Sequence, residues 1–135
     1  MNSTFYARLL RIASFLGAFG VIFGAFGAHF LKSRLEASSL DIIHTGILYL
    51  FIHVLITMVV VLLARDVPNS RWLRSSCIFF ITGIVLFSGS LFLLATQSLI
   101  GLNLSYIGII TPIGGFCFIL GWILLVITTF SQNNT

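Results

Sequence analysis

Charge is what this chain has least of. Only 7% of its 135 residues are charged, and 59% are hydrophobic, whereas a soluble domain carries about 25% charged residues. So few charges cannot cover a water-facing surface, so the expected solvent is a lipid bilayer. Acidic groups are scarcest, with three Asp or Glu in all, and none sits deep in an apolar run, because Asp41 stands at the edge of one. A proton-coupled transporter usually needs such a buried carboxylate. There are two cysteines; Cys77 and Cys117 form neither a C-x-x-C pair nor a metal spacing, and their expected depths differ, so free thiols and no metal site are expected. No G-x-S-x-G, H-E-x-x-H or phosphate-binding loop occurs, so no enzyme activity is expected. The formal charge of +4 is not a nucleic-acid signature, because the basic residues flank apolar runs and do not share a face.

Those apolar runs organise the chain. About 20 apolar residues cross roughly 30 Å of hydrocarbon, and four such runs fit. The expectation is an all-α, polytopic membrane protein, one domain over residues 1–135, folded as a four-helix transmembrane bundle. Its spans are expected at about 9–31, 42–64, 75–95 and 104–130, followed by a polar tail over 131–135. Thr96, Gln97, Ser98, Gly101 and Asn103 supply the last turn. The first run, with Ala25-Phe26-Gly27 as a small-x-small site, also resembles a cleavable signal peptide, but it continues to Leu31 and reads better as a span. Four spans put both termini and the middle loop, with Arg8, Arg11, Arg65, Arg71 and Arg74, on one side. Lys32 and Arg34, offset by Glu36 and Asp41, lie on the other. The positive-inside rule then makes both termini cytoplasmic.

Lipid supplies no hydrophobic drive between helices, so small residues mark their contacts. Gly17, Gly20, Gly24 and Gly27 form one stripe on the first helix. Gly83, Ser88, Gly89 and Ser90 lie on the third, and Gly108, Gly114, Gly115 and Gly121 on the fourth. Gly20-Val21-Ile22-Phe23 echoes Gly83-Ile84-Val85-Leu86, as a duplicated hairpin would. Pro112, inside the fourth run, is expected to free the carbonyl of Gly108 and kink the helix.

The candidate polar pocket comprises His29, Tyr49, His53, Ser88, Ser90 and Thr111, which length counting places in one layer of the outer half, near Pro112. Intramembrane ionisable groups are functional candidates by default; the competing reading is hydrogen bonding between packed helices. A haem would need histidines paired at matched depth. His29 with His44 matches only roughly and has no other support, so no cofactor is expected. The expected partners are the lipid bilayer and either another membrane protein or further copies of the chain, with no nucleic acid.

Five motifs occur in order: Gly24-Ala25-Phe26-Gly27-Ala28-His29; Tyr49 with His53; Phe87-Ser88-Gly89-Ser90-Leu91; Thr111-Pro112-Ile113-Gly114-Gly115; and Gly121-Trp122. Together they resemble the small bacterial inner-membrane proteins catalogued as domain of unknown function 423. The resemblance runs from about Gly17 to Trp122. It implies a four-helix protein of the bacterial inner membrane with no assigned activity. Its motifs fall on His29, Tyr49, His53, Ser88, Ser90, Thr111, Pro112 and Gly115. Family members carry Tyr where this chain has Phe92, so a hydroxyl there is not essential. The expectation that follows is a non-enzymatic structural, assembly or accessory component. The alternative is a small-molecule, ion or proton pathway through the polar pocket.

Overall fold

The computed structural model describes residues 3–67 and 70–132, and within them every regular element is helical. Helix α1 spans Ser3–His29, and a 3-10 turn at Leu31–Ser33 leads into α2, Ala37–Leu63. Helix α3, Arg71–Gly83, continues through a π-helical turn, Ile84–Ser88, into α4, Gly89–Ile100. A 3-10 turn, Ser105–Ile109, leads into α5, Ile110–Gln132. Four stretches are long and apolar enough to cross a membrane: Thr4–Ser33, Ala37–Leu63, Arg71–Ile100 and Ser105–Ser131. The four-span architecture read from the sequence is therefore the one observed.

The helices extend beyond the apolar runs that located them. Hydropathy marks where lipid solvates side chains, but backbone hydrogen bonding carries a helix on into the interface. Thus α1 begins six residues before Leu9, and the third span takes in Arg71 and Arg74. Thr96, Gln97 and Ser98 are helical and do not form the turn. Thr96 returns its hydroxyl to the carbonyl of Phe92 at 2.7 Å, and the Gln97 side chain accepts the Leu104 amide at 3.0 Å across the turn. The helix stops at Gly101, whose φ of 66° is left-handed, a conformation that costs other residues about 1–2 kcal/mol. Of the expected polar tail, Ser131 and Gln132 are still helical, and 133–135 lie outside the described residues.

Pro112 does not kink the middle of a span. It is the third residue of α5, in the first turn, where an amide has no intrahelical carbonyl to meet. The fourth span departs from α geometry just before it, in the 3-10 turn Ser105–Ile109, and the third span departs at the π-turn.

The chain forms two antiparallel hairpins, α1 with α2 and α3–α4 with α5, which pack through α2 and α3–α4. The glycine stripe of α1 faces α2 along its length: Gly17 looks onto Val54, Gly24 onto Ile47 and Gly27 onto Ile43, and Gly20 onto Leu50 and Phe51. In the second hairpin, aromatic rings fill the space above glycines. A Cβ on Gly83 would meet the Phe118 ring at 2.5 Å, and one on Gly121 would meet Phe80 at 2.5 Å. At Gly114 the obstacle is the backbone of Phe87 itself. Between hairpins, Gly46 receives Phe92. The echoed glycines therefore do the same job: Gly20 and Gly83 each face the second helix of their own hairpin.

Arg74 stacks on Phe5 at 4.4 Å, and Thr128 lies with Asp66 and Leu73 around one small cavity. The start of α1, the middle loop and the end of α5 thus share one end of the bundle.

These contacts generate a paired prediction. Gly114→Ala pushes a methyl group into backbone that cannot rotate aside, and should destabilise the bundle by about 1–3 kcal/mol or more, the usual range for overpacking. Gly108→Ala meets nothing within 4 Å and should be neutral or stabilise by about 0.4–1 kcal/mol through the unfolded state. Denaturation in mixed micelles checks both. Equal midpoints would contradict the close approach of α5 to the π-turn.

Candidate functional site

His53 lies on α2, is 4% exposed and uses both ring nitrogens. Its Nδ1 is 2.8 Å from the carbonyl oxygen of Tyr49, one helical turn back. Its Nε2 is 3.3 Å from Nε1 of Trp122 on α5. An indole N–H only donates, so Nε2 accepts and the proton sits on Nδ1, donated to Tyr49. The ring lies flat on Phe118, with centroids 3.6 Å apart and planes 11° from parallel, and Phe80 and Trp122 surround it. Tyr49 packs against Phe87 with ring centroids 4.6 Å apart and planes tilted by 37°. A cleft of about 510 Å³ opens beside this cluster, between Tyr49 and His53 on one wall and Gly115 and Trp122 on the other.

A second polar contact joins α4 to α5. The Ser90 hydroxyl lies 2.9 Å from the carbonyl of Phe87 and 2.7 Å from the Thr111 hydroxyl. Ser90 has one proton, which goes to the carbonyl, so Thr111 donates to Ser90. A third contact is fully buried: Ser76 on α3 donates to the carbonyl of Gly121 at 2.9 Å.

The six expected pocket residues therefore do not share one pocket. Tyr49 and His53 form one cluster. Ser90 and Thr111 form another. Ser88 is 1% exposed and its hydroxyl has no partner. His29 is exposed at the end of α1. It follows Gly27 by two residues, about 200° around the helix at 3.6 residues per turn, so it faces away when the glycines face α2. Nor do they form one layer. Because α2 begins at Ala37, His53 lies about 24 Å along it at 1.5 Å per residue, in the half nearer the termini. Ser90 is about 15 Å from the opposite end of its helix, Ile100, by the same rise. Sequence reasoning missed Trp122, Phe118 and Ser76. The Gly121-Trp122 motif was the available signal for the first, since an indole at membrane depth needs an acceptor.

Cys77 and Cys117 are both buried thiols. No three His, Cys, Asp or Glu side chains gather as a metal-binding group among the described residues. The hydrogen bonds from Trp122 to His53, from Thr111 to Ser90 and from Ser76 to Gly121 each join two helices.

Relatives share this sequence over most of its length. UPF0382 membrane protein YwdK of Bacillus subtilis is 35% identical over 122 residues, covering 87% of this chain and 95% of its own. A UPF0382 membrane protein of Haemophilus influenzae is 37% identical over 127 residues, covering 94% and 97%. UPF0382 inner membrane protein YgdD of Escherichia coli is 36% identical over 120 residues, covering 88% and 86%. No solved structure matches. The family model described as "Protein of unknown function (DUF423)" matches residues 23–115, and this integral membrane protein, with its four apolar spans, belongs to that family.

Proposed function

We infer that the chain is a non-enzymatic structural, assembly or accessory component of the bacterial inner membrane, with both termini in the cytoplasm. The observation that carries this reading is the closure of His53. Both nitrogens are engaged, one by backbone and one by an indole, and its face is covered by Phe118. A general base, a metal ligand or a proton relay needs a nitrogen free to change partners. Ser76, Ser90 and Thr111 likewise spend their hydroxyls on packed helices. The Escherichia coli relative YgdD is named an inner membrane protein, which supports the membrane. The shared end bearing Arg8, Arg11, Arg65, Arg71 and Arg74 supports the orientation through the positive-inside rule.

A pathway reading draws on the cleft beside Tyr49 and His53. It is weakened because His29, Ser88 and Thr111 do not continue that cleft.

His53→Phe separates the two. Phenylalanine keeps an aromatic ring on Phe118 and loses only hydrogen bonds, each worth about 0.6 kcal/mol within membranes. It should therefore cost about 1 kcal/mol, against about 3–5 kcal/mol for His53→Ala, by analogy with deleting a buried aromatic ring. Proton and ion flux in proteoliposomes should be equal for wild type and His53→Phe. A flux carried by wild type and lost in a folded His53→Phe protein would sink the structural reading.

Orientation has its own check. A green fluorescent protein fused after Thr135 should fluoresce, and alkaline phosphatase fused there should be inactive. The reverse pattern would place the termini outside.

A further inference from the structure

The fixed charges of this chain divide between the two ends of the bundle. Glu36 and Asp41 stand with Lys32 and Arg34 around the turn between α1 and α2. The other end carries Arg8, Arg11, Arg65, Arg71 and Arg74 with one carboxylate, Asp66. Asp66 lies toward α5, where it lines a cavity with Leu73 and Thr128. That leaves the face where α1 meets α3, among the described residues, with cations and no carboxylate.

Two of those cations converge from different hairpins. Arg74, in the first turn of α3, holds its guanidinium 4.4 Å from the centre of the Phe5 ring on α1. Such stacking uses the face of the guanidinium and leaves its five N–H donors at the edge. Arg8 is exposed and lies three residues beyond Phe5, a helical spacing that puts Cβ atoms about 5–6 Å apart. Both guanidinium groups therefore border one ring. The positive-inside rule asks only for cations in a short loop. It does not ask for two on facing helices, where like charges repel, nor for one at the positive end of a helix dipole. An anion from outside the chain relieves that repulsion. Trp72, on which Arg71 stacks at 4.6 Å, fixes the level, because indoles settle at the lipid headgroups.

We propose that Arg8 and Arg74 hold the headgroup of an anionic phospholipid, whose phosphate bridges α1 and α3. A guanidinium matches a phosphate through paired, charge-assisted hydrogen bonds. Apolar surface continues from the arginines into the hydrocarbon: Ile12 and Ile78 lie one turn beyond Arg8 and Arg74, and both are exposed. Leu16 shares a face of α1 with Phe5, about three turns on, and opens a cavity of about 540 Å³ between α1 and the π-turn, bordered by Ser88 and Phe92. Leu16 is about 12 Å from the level of Arg8 at 1.5 Å per residue, less than the half-thickness of the hydrocarbon, about 15 Å, so an acyl chain that starts at the arginines reaches it. Those apolar walls accept any acyl chain. The arginines select the headgroup, because a zwitterionic lipid brings a cation of its own to the same place. A lipid held in this way joins the two hairpins, which goes beyond the structural role argued above and does not depend on it.

The test is equilibrium lipid binding to the full-length protein in a neutral detergent, read by native mass spectrometry, with dioleoyl phosphatidylglycerol against dioleoyl phosphatidylcholine. Phosphatidylglycerol should bind about 25-fold more tightly, about fivefold for each arginine near an anionic lipid. Arg74→Gln should lower that preference about fivefold, and the double variant Arg8→Gln, Arg74→Gln should bind both lipids alike. Both side chains are exposed, so the lipid-free melting temperature should stay close to that of the wild type. Arg74→Lys keeps the charge and should retain most of the preference, which serves if the glutamine variants do not fold. Arg34→Gln, at the opposite end, should leave it unchanged. Equal affinity of the wild type for the two lipids, a preference that survives the double substitution, or a loss as large in Arg34→Gln would overturn the assignment. So would displacement of phosphatidylglycerol by millimolar inorganic phosphate, which would make the ligand a free anion.

Discussion

Phenylalanine rings lie on glycines throughout this bundle. Phe118 sits on Gly83, Phe80 on Gly121 and Phe92 on Gly46, while the Phe87 backbone itself rests against Gly114. In lipid, apolar surface gains nothing by leaving one hydrocarbon for another, so what holds helices together is close dispersion contact. A ring seated over a bare Cα gives much of that contact in little space. Each such pair also fixes which faces meet. The same rings then form the walls of everything else: Phe80 and Phe118 surround His53, and Phe92 borders the cavity at Ser88.

The interhelical hydrogen bonds act within that frame. His53 to Trp122, Ser90 to Thr111 and Ser76 to Gly121 each join α5 to another part of the bundle. Individually they are weak, but each polar group needs its partner at a particular height, so together they hold α5 in register. The bond from Trp122 is the direct polar link between α2 and α5, across a cleft their side chains do not fill. Among the described residues, the first helix has no comparable polar tie. It rests on α2 through glycines and leaves the cavity open between itself and α4.

How far the site could be read from the sequence follows from what sets each feature. The glycine stripe of α1 was legible because four small residues at helical spacing can only serve one face, and that face meets α2. Tyr49 and His53 were legible as a pair because they are one helical turn apart. Their partner Trp122 was not, since nothing local links residues 69 positions apart. His29 was grouped with them on depth alone, and depth carries no information about rotation. The kink expected at Pro112 failed for a related reason: proline disturbs a helix interior, and whether this one stands in the interior depends on where α5 begins.

By itself, the sequence determined the solvent, the number of spans, the small-residue faces and the membership of a family, because hydropathy and spacing are properties of the chain. Only the tertiary structure decided which polar groups meet, that Pro112 stands in a first turn, that the third span carries a π-turn, and that Gly89 opens onto empty space while Gly114 touches backbone. The physical reason is that a glycine or a serine reads the same whether it faces a neighbouring helix, a cavity or lipid. Rotation about the helix axis and the crossing of helices distinguish them, and those are set by every contact at once.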